Sequence, residues 1–174
     1  LDAASEKKGE QRLEKMVSGR YMGELFEMAL AELLGAAGSA YGFTSVDLSR
    51  MLEDVSEDAT SAATLVEALT GQQLTAEDAM RVRDLARAVV VRSVRLIAAT
   101  FVGTLWQVTG SGEMRAQHIA VDGSVYEKMP LVKEEMMRAF AELLGEDAGK
   151  VDTILASGGS GLGAAIAAAM AERG

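Results

Sequence analysis

The chain has 174 residues, 49% apolar and 25% charged, with 17 basic against 26 acidic side chains for a formal net charge of −9. A chain of this length buries roughly two-thirds of the surface its unfolded form exposes, enough for one core, so a disordered tail is excluded. The absence of Cys excludes a disulfide scaffold and cysteine nucleophilic chemistry and suits a reducing compartment, while the acidic balance argues against nucleic-acid or anionic-membrane binding.

Taken in order, Leu1 to Lys15 shows neither a signal peptide nor a transit pattern, and the leading Leu suggests a chain cut from something longer. Gln11 and Glu14 fall on an irregular segment, where they can cap the next helix or bond hydroxyl groups. Val17, Tyr21, Leu25, Met28 and Leu33 recur at helical spacing and predict an amphipathic helix from Val17 to Leu34, ended by Gly35 and Gly38, with Glu24, Glu27 and Glu32 on its outer face. A short helix is expected from Ser45 or Ser49, and another from Ala59 to Leu69, closed by Gly71. Thr75 with Asp78 three positions on predicts the start of the longest helix, to about Val108. Val89, Val90, Val91, Val94, Leu96, Ile97 and Phe101 make it apolar on nearly every face, the pattern of a central helix. No membrane span is expected, because Arg87, Arg92 and Arg95 interrupt its most apolar window.

Gln117 to Val121 reads as a strand that turns at Asp122-Gly123 into Ser124 to Tyr126. After Pro130 a helix of some 14 residues runs to Leu144, followed by a strand Val151 to Leu155 and a glycine-rich turn feeding a last helix to Arg173. Two strands are too few for a free-standing sheet. The turn Ser157 to Ala165 joins strand to helix, so an anion site and a plain tight turn stand about level there on spacing alone. Ser18-Gly19-Arg20, at a helix start, allows a phosphate contact, with a solvated Arg the stronger reading. His118 has no nucleophile or metal-ligand partners in view; the Met residues read as core filler, and Glu134-Glu135 as solvated charges.

The run Glu14-Lys15-Met16-Val17-Ser18-Gly19-Arg20-Tyr21-Met22-Gly23-Glu24-Leu25 resembles a signature segment of the hexokinase family. The resemblance continues through Phe43 to Ser49, through Val121 to Tyr126, and through Gly159-Ser160-Gly161-Leu162-Gly163-Ala164-Ala165, so that it covers essentially the whole chain as a single unit, 1–174. It implies an α/β, helix-rich fold: the C-terminal portion of a large domain of the actin-like, ribonuclease-H-like ATPase type. It further implies a cytoplasmic parent enzyme transferring phosphate from ATP, with Mg²⁺, to the 6-hydroxyl of glucose or a related hexose.

By position, the resemblance assigns Gln11 and Glu14 to the sugar. It assigns Gly19, Arg20, Ser45, Val46, Asp47, Leu48, Ser49, Ser160, Gly161, Leu162, Gly163 and Ala164 to ATP, and no residue here to the catalytic base or to a metal. Asp2 falls where the family has an Asp ahead of Asn-Pro-Gly, here Lys7-Lys8-Gly9. Met129 replaces a His before Pro130, and Leu162 replaces a Lys or Arg, removing a positive charge beside the nucleotide. The family's first phosphate loop and catalytic Asp have no counterpart in the sequence, so this segment alone is expected to be inactive and to self-associate through the exposed half-domain face. The alternative is a non-catalytic, hexokinase-like interaction or regulatory module.

Overall fold

A computed structural model describes residues 2–5, 7–35 and 40–171. Gly38 and Arg173, expected to bound the first and last helices, lie outside them. The helices are α1 (Arg12–Val17), α2 (Gly19–Leu33), α3 (Ser45–Glu53), α4 (Thr60–Thr70), α5 (Ala76–Thr109), α6 (Ser124–Lys128), α7 (Val132–Leu144) and α8 (Gly159–Ala171). The strands are β1 (Gln117–Val121) and β2 (Val151–Leu155), with short 3-10 turns at Asp2–Ala4 and Gly145–Lys150.

Helix α5 is the axis of the fold, about 50 Å long at ~1.5 Å per residue. Its start follows from Thr75, whose hydroxyl accepts the Asp78 amide at 3.2 Å and donates to the Asp78 carboxylate at 2.8 Å. Gly110, at φ 61°, ends it. Helices α1, α2, α3, α4 and α7 all pack on it, so Val82, Val90, Val94, Ala98 and Val102 share one core with Phe26, Leu30, Leu48, Met51, Val66 and Phe140. By length and composition α5 contains an 18-residue window with a mean hydropathy of 1.6, apolar enough to cross a membrane, a test that the central helix of a packed core also passes. Its arginines serve neighbouring helices instead: Arg92 donates to the Met16 carbonyl at 3.1 Å, and Arg95 pairs with Glu142 at 2.8 Å.

The helix expected from Val17 to Leu34 is α2, and a further short helix, α1, precedes it where irregular chain was expected, the two separated by Ser18 in extended geometry (φ −76°, ψ 148°). Glu14 therefore lies within α1 rather than on an irregular segment, and Gln11 is the residue preceding it. Helix α2 then approaches the loop before α3 closely enough that a Cβ at Gly23 would clash with the Phe43 carbonyl and lie 2.7 Å from the Thr44 Cα. Phe26 and Phe43 meet edge to face at 5.1 Å. Glu27 is not a solvated charge: its carboxylate accepts the amides of Tyr41, Gly42 and Phe43 at 2.8, 2.7 and 3.1 Å. Glu135 likewise is buried, bonded to Arg138 at 2.6 Å with Arg95 3.9 Å away.

β1 and β2 form a parallel pair, Gln117 opposite Val151 through Val121 opposite Leu155. A parallel pair needs a crossover, which α6 and α7 supply, so Ser124–Lys128 is helical where a turn into further extended chain was expected. Beyond the pair, Ile154 and Leu155 are exposed, as are Leu162, Ile166 and Met170 of α8, at 65%, 52% and 70% of their surface.

The close approach at Gly23 makes a sharp contrast with Gly103 on α5, around which a Cβ meets nothing within 4 Å. Gly23→Ala is expected to lower unfolding stability by about 1–3 kcal/mol, the usual cost of overpacking, and Gly103→Ala to raise it by about 0.5–1 kcal/mol through helix propensity. Urea unfolding followed by circular dichroism measures both; equal effects would contradict the packing described.

Candidate functional site

A cleft of about 450 Å³ opens where the carboxyl end of β1 meets the first turns of α2 and α3. Ligands in α/β sheets commonly bind at such strand ends. One wall is Ser18, Gly19 and Arg20; Ser45 stands at the start of α3; Asp122, Gly123 and Ser124 form the opposite lip; Ile97 and Phe101 of α5 make an apolar floor.

The first wall follows from the break at Ser18. The Ser18 amide closes α1 on the Glu14 carbonyl at 2.9 Å, while its own carbonyl accepts Tyr21 and Met22 to begin α2. Its Oγ is buried without a hydrogen-bond partner among the described residues. An orphan hydroxyl at a helix start, on a cleft, is a group left for a ligand or water to satisfy. Gly19 has a packing reason of its own, since a Cβ there would stand 2.5 Å from Val125 Cγ2 and 3.5 Å from Ser45 Oγ. A side chain at position 19 would force Val125 of α6 to shift, whereas the approach to Ser45 of α3 is an ordinary contact. Arg20 is exposed at the rim, its guanidinium 5.6 Å from the Tyr21 ring centre.

The α3 segment divides its roles. Ser45 lines the cleft, and Val46 and Ser49 border an adjoining hollow of about 250 Å³. The Asp47 carboxylate is engaged in a reciprocal cap with Thr44, and Ser49 Oγ donates to Glu53 at 3.1 Å. The Leu48 side chain is wholly buried in the core.

The glycine-rich turn is shorter than its sequence suggests: only Ser157 and Gly158 precede α8, and Gly159 to Ala164 already form its first turns. Asp122, which the site reading of the sequence passed over, links this turn to the cleft. Its Oδ2 accepts the Ser160 amide at 3.1 Å and the Ser160 hydroxyl at 2.9 Å. These bonds, the amide first, hold the Asp122 carboxyl below its ordinary value. The amide that would greet an anion at the start of α8 is thus held by the protein's own carboxylate. Gly161 and Gly163 have open space around them, and Leu162 and Ala164 are exposed.

Gln11 and Glu14 lie outside the cleft, one short helix away and both exposed. His118 is exposed on β1. No group of three His, Asp or Glu side chains able to hold a cation occurs among the described residues.

The family model described as Hexokinase matches residues 1–170. The chain is similar to Hexokinase-1 of Oryza sativa subsp. japonica, 37% identical over 97% of this chain and 37% of the relative. It is also similar to Hexokinase-1 of Schizosaccharomyces pombe, 31% identical over 100% of this chain and 38% of the relative. A crystal structure of a hexokinase superposes with a TM-score of 0.75 at 28% identity, covering 88% of this chain and 36% of that one. The chain spans less than two-fifths of the length of these relatives.

Because the folded Asp122 carboxyl titrates below its unfolded value, its link to Ser160 is fully present above about pH 4 and is lost as pH falls through the lower folded value. Amide exchange at the start of α8, read by NMR, is expected to accelerate below pH 4 beyond the intrinsic pH effect. In Asp122→Asn that exchange should be faster already at pH 7 and follow intrinsic chemistry alone. An unchanged profile in the variant would contradict the link.

Proposed function

The chain belongs to the hexokinase family, and from that membership and the geometry of the cleft we propose that it is the C-terminal portion of the large domain of an ATP-dependent hexose kinase, supplying one wall of the nucleotide site and one edge of the sugar site. The observation that carries this reading is the convergence of the α2 start, with its orphan Ser18 hydroxyl, Ser45 and the Asp122-Gly123-Ser124 lip on one cleft at the end of β1.

Electrostatics orders the nucleotide within that cleft. Asp122 is ionised and repels a phosphate at the start of α8, so the uncharged base and ribose lie towards Gly161 and Gly163, where open backbone permits close approach. The phosphates lie towards the positive end of α2 and Arg20. Glu14 connects the two substrates, because the helical turn it starts ends on Ser18; its carboxylate accepts hydroxyl hydrogens of the sugar, with the Gln11 amide beside it. Phosphoryl transfer draws chiefly on positioning and charge stabilisation, and these residues do the positioning. The proton acceptor for the attacking hydroxyl and the groups that meet Mg²⁺ belong to the remainder of the whole enzyme. The apolar face of Ile154, Leu155 and α8 is where that remainder packs; left bare, it drives self-association. A cytoplasmic location follows from the same family reading.

One observation favours the non-catalytic alternative: Leu162 presents an exposed apolar side chain on the first turn of α8, where the resemblance calls for a cation.

In the complete protein, Glu14→Gln is expected to raise the sugar KM about tenfold or more, since a hydrogen bond to a charged group contributes ~1.5–3 kcal/mol, with the fold intact by circular dichroism. The 174-residue chain alone is expected to form no glucose-6-phosphate above background in a coupled assay. Unchanged sugar kinetics in the variant, or robust turnover by the isolated chain, would overturn the reading.

A further inference from the structure

Lys15 is 3% exposed, the most deeply buried charged side chain among the described residues. An ammonium group withdrawn from water is tolerated only where hydrogen bonds and an opposite charge replace its hydration. Both are present. Lys15 Nζ donates to Asp2 Oδ1 at 2.7 Å and to the Lys7 carbonyl. The two Asp2 oxygens in turn each lie 3.1 Å from the Gly9 amide, and the Asp2 backbone carbonyl accepts both the amide and the hydroxyl of Ser5. Asp2, Lys7 and Gly9 are thereby gathered around the end of one lysine.

That lysine sits one position beyond Glu14, and its own amide closes the first turn of α1 on the Gln11 carbonyl at 3.0 Å. Gln11 adopts left-handed geometry, φ 50° and ψ 38°, which costs a side-chain-bearing residue free energy and persists only when its surroundings impose it. The wrapped segment enters Gln11 through Gly9, itself at φ 80°. The far end of α1 is fixed as well, its Met16 carbonyl accepting Arg92 at 3.1 Å with Ser93 Oγ 3.3 Å away. A six-residue helix too short to hold itself is therefore held at both ends.

We propose that Asp2 and Lys15 form a clamp that imposes the left-handed turn at Gln11 and so fixes the display of Gln11 and Glu14, making Asp2 and Lys15 positioning residues for the sugar contact. The functional half of this statement rests on the sugar reading given above; the conformational half does not.

The test uses Asp2→Asn, which leaves the buried Lys15 its carbonyl partner and the core intact, with Lys15→Met as a second variant. Hydrogen exchange over residues 7–15 reads the clamp, and sugar KM, nucleotide KM and kcat of the complete protein read its consequence. In Asp2→Asn the Gly9 amide is expected to exchange about tenfold faster and the sugar KM to rise about tenfold, with kcat and nucleotide KM within about twofold of the parent. Unchanged exchange across residues 7–15 in the folded Asp2→Asn protein would overturn the clamp. Faster exchange with unchanged sugar KM, while Glu14→Gln raises that KM, would overturn its positioning role. Should Glu14→Gln itself leave the sugar KM unchanged, the sugar reading fails and the exchange result alone decides the clamp.

Discussion

Burial of helix α5 against five other helices fixes where the candidate groups on α1, α2 and α3 lie. Each large apolar side chain removed from water contributes about 1.5–3 kcal/mol, and the core joins Val82, Val90 and Val102 of α5 to Phe26, Leu30, Leu48, Met51 and Phe140 around it. No single polar contact in the chain competes with that sum. The polar contacts instead choose among packings: the Met16 carbonyl, bonded by Arg92 beside Ser93, sets the height of α1 along α5. Because α1 runs into α2 through Ser18, the same anchor places the start of α2 on the cleft.

Glycine works within this frame by letting backbones approach. Gly23 admits the loop before α3 against α2, and Gly19 admits Val125. Of the two, only Gly19 lines the cleft. The glycines of α8 differ, since Gly161 and Gly163 face open space. Of the two groups, only those on α8 lack a packing reason within the described residues. On the cleft, cation and anion are divided: Arg20 at the rim of α2, Asp122 bonded across to Ser160. Any anionic ligand meets attraction at one lip and repulsion at the other, which gives the cleft a direction.

Elements governed by local periodicity were legible in the sequence. The long helix, both strands to the residue, and the closure at Gly71 follow from spacing, β-branched runs and cap chemistry, all encoded within a few positions. Helix α1 was not legible, because six residues entered through a left-handed Gln11 are too few to show an apolar period of their own. Asp122-Gly123 carried a hairpin cue, yet a parallel partner 34 residues downstream of Gln117 demanded a crossover, which local turn chemistry cannot report. Glu27 looked solvated because its partners, Tyr41 to Phe43, lie outside its helix, and Glu135 because its burial comes from packing that includes Arg95 of α5, although its hydrogen bond goes to Arg138 on its own helix. The four blocks of family resemblance named most of the cleft's residues, and belonging to the hexokinase family is borne out over residues 1–170. They could not foretell that Leu48 is core, or that Asp122 reaches Ser160 across 38 positions.

The central claim, that nucleotide enters the cleft between α2, α3 and the β1 lip with its phosphates towards Arg20, is tested most directly by titrating ATP into the isotopically labelled chain and following backbone amide shifts. The account predicts saturable shifts at Gly19, Arg20, Ser45, Gly123 and Ser124, with adenosine alone reproducing those at Gly161 and Gly163 but not those at Gly19 and Arg20. Shifts confined to α4 or to the exposed face of β2, or none at millimolar nucleotide, would contradict it.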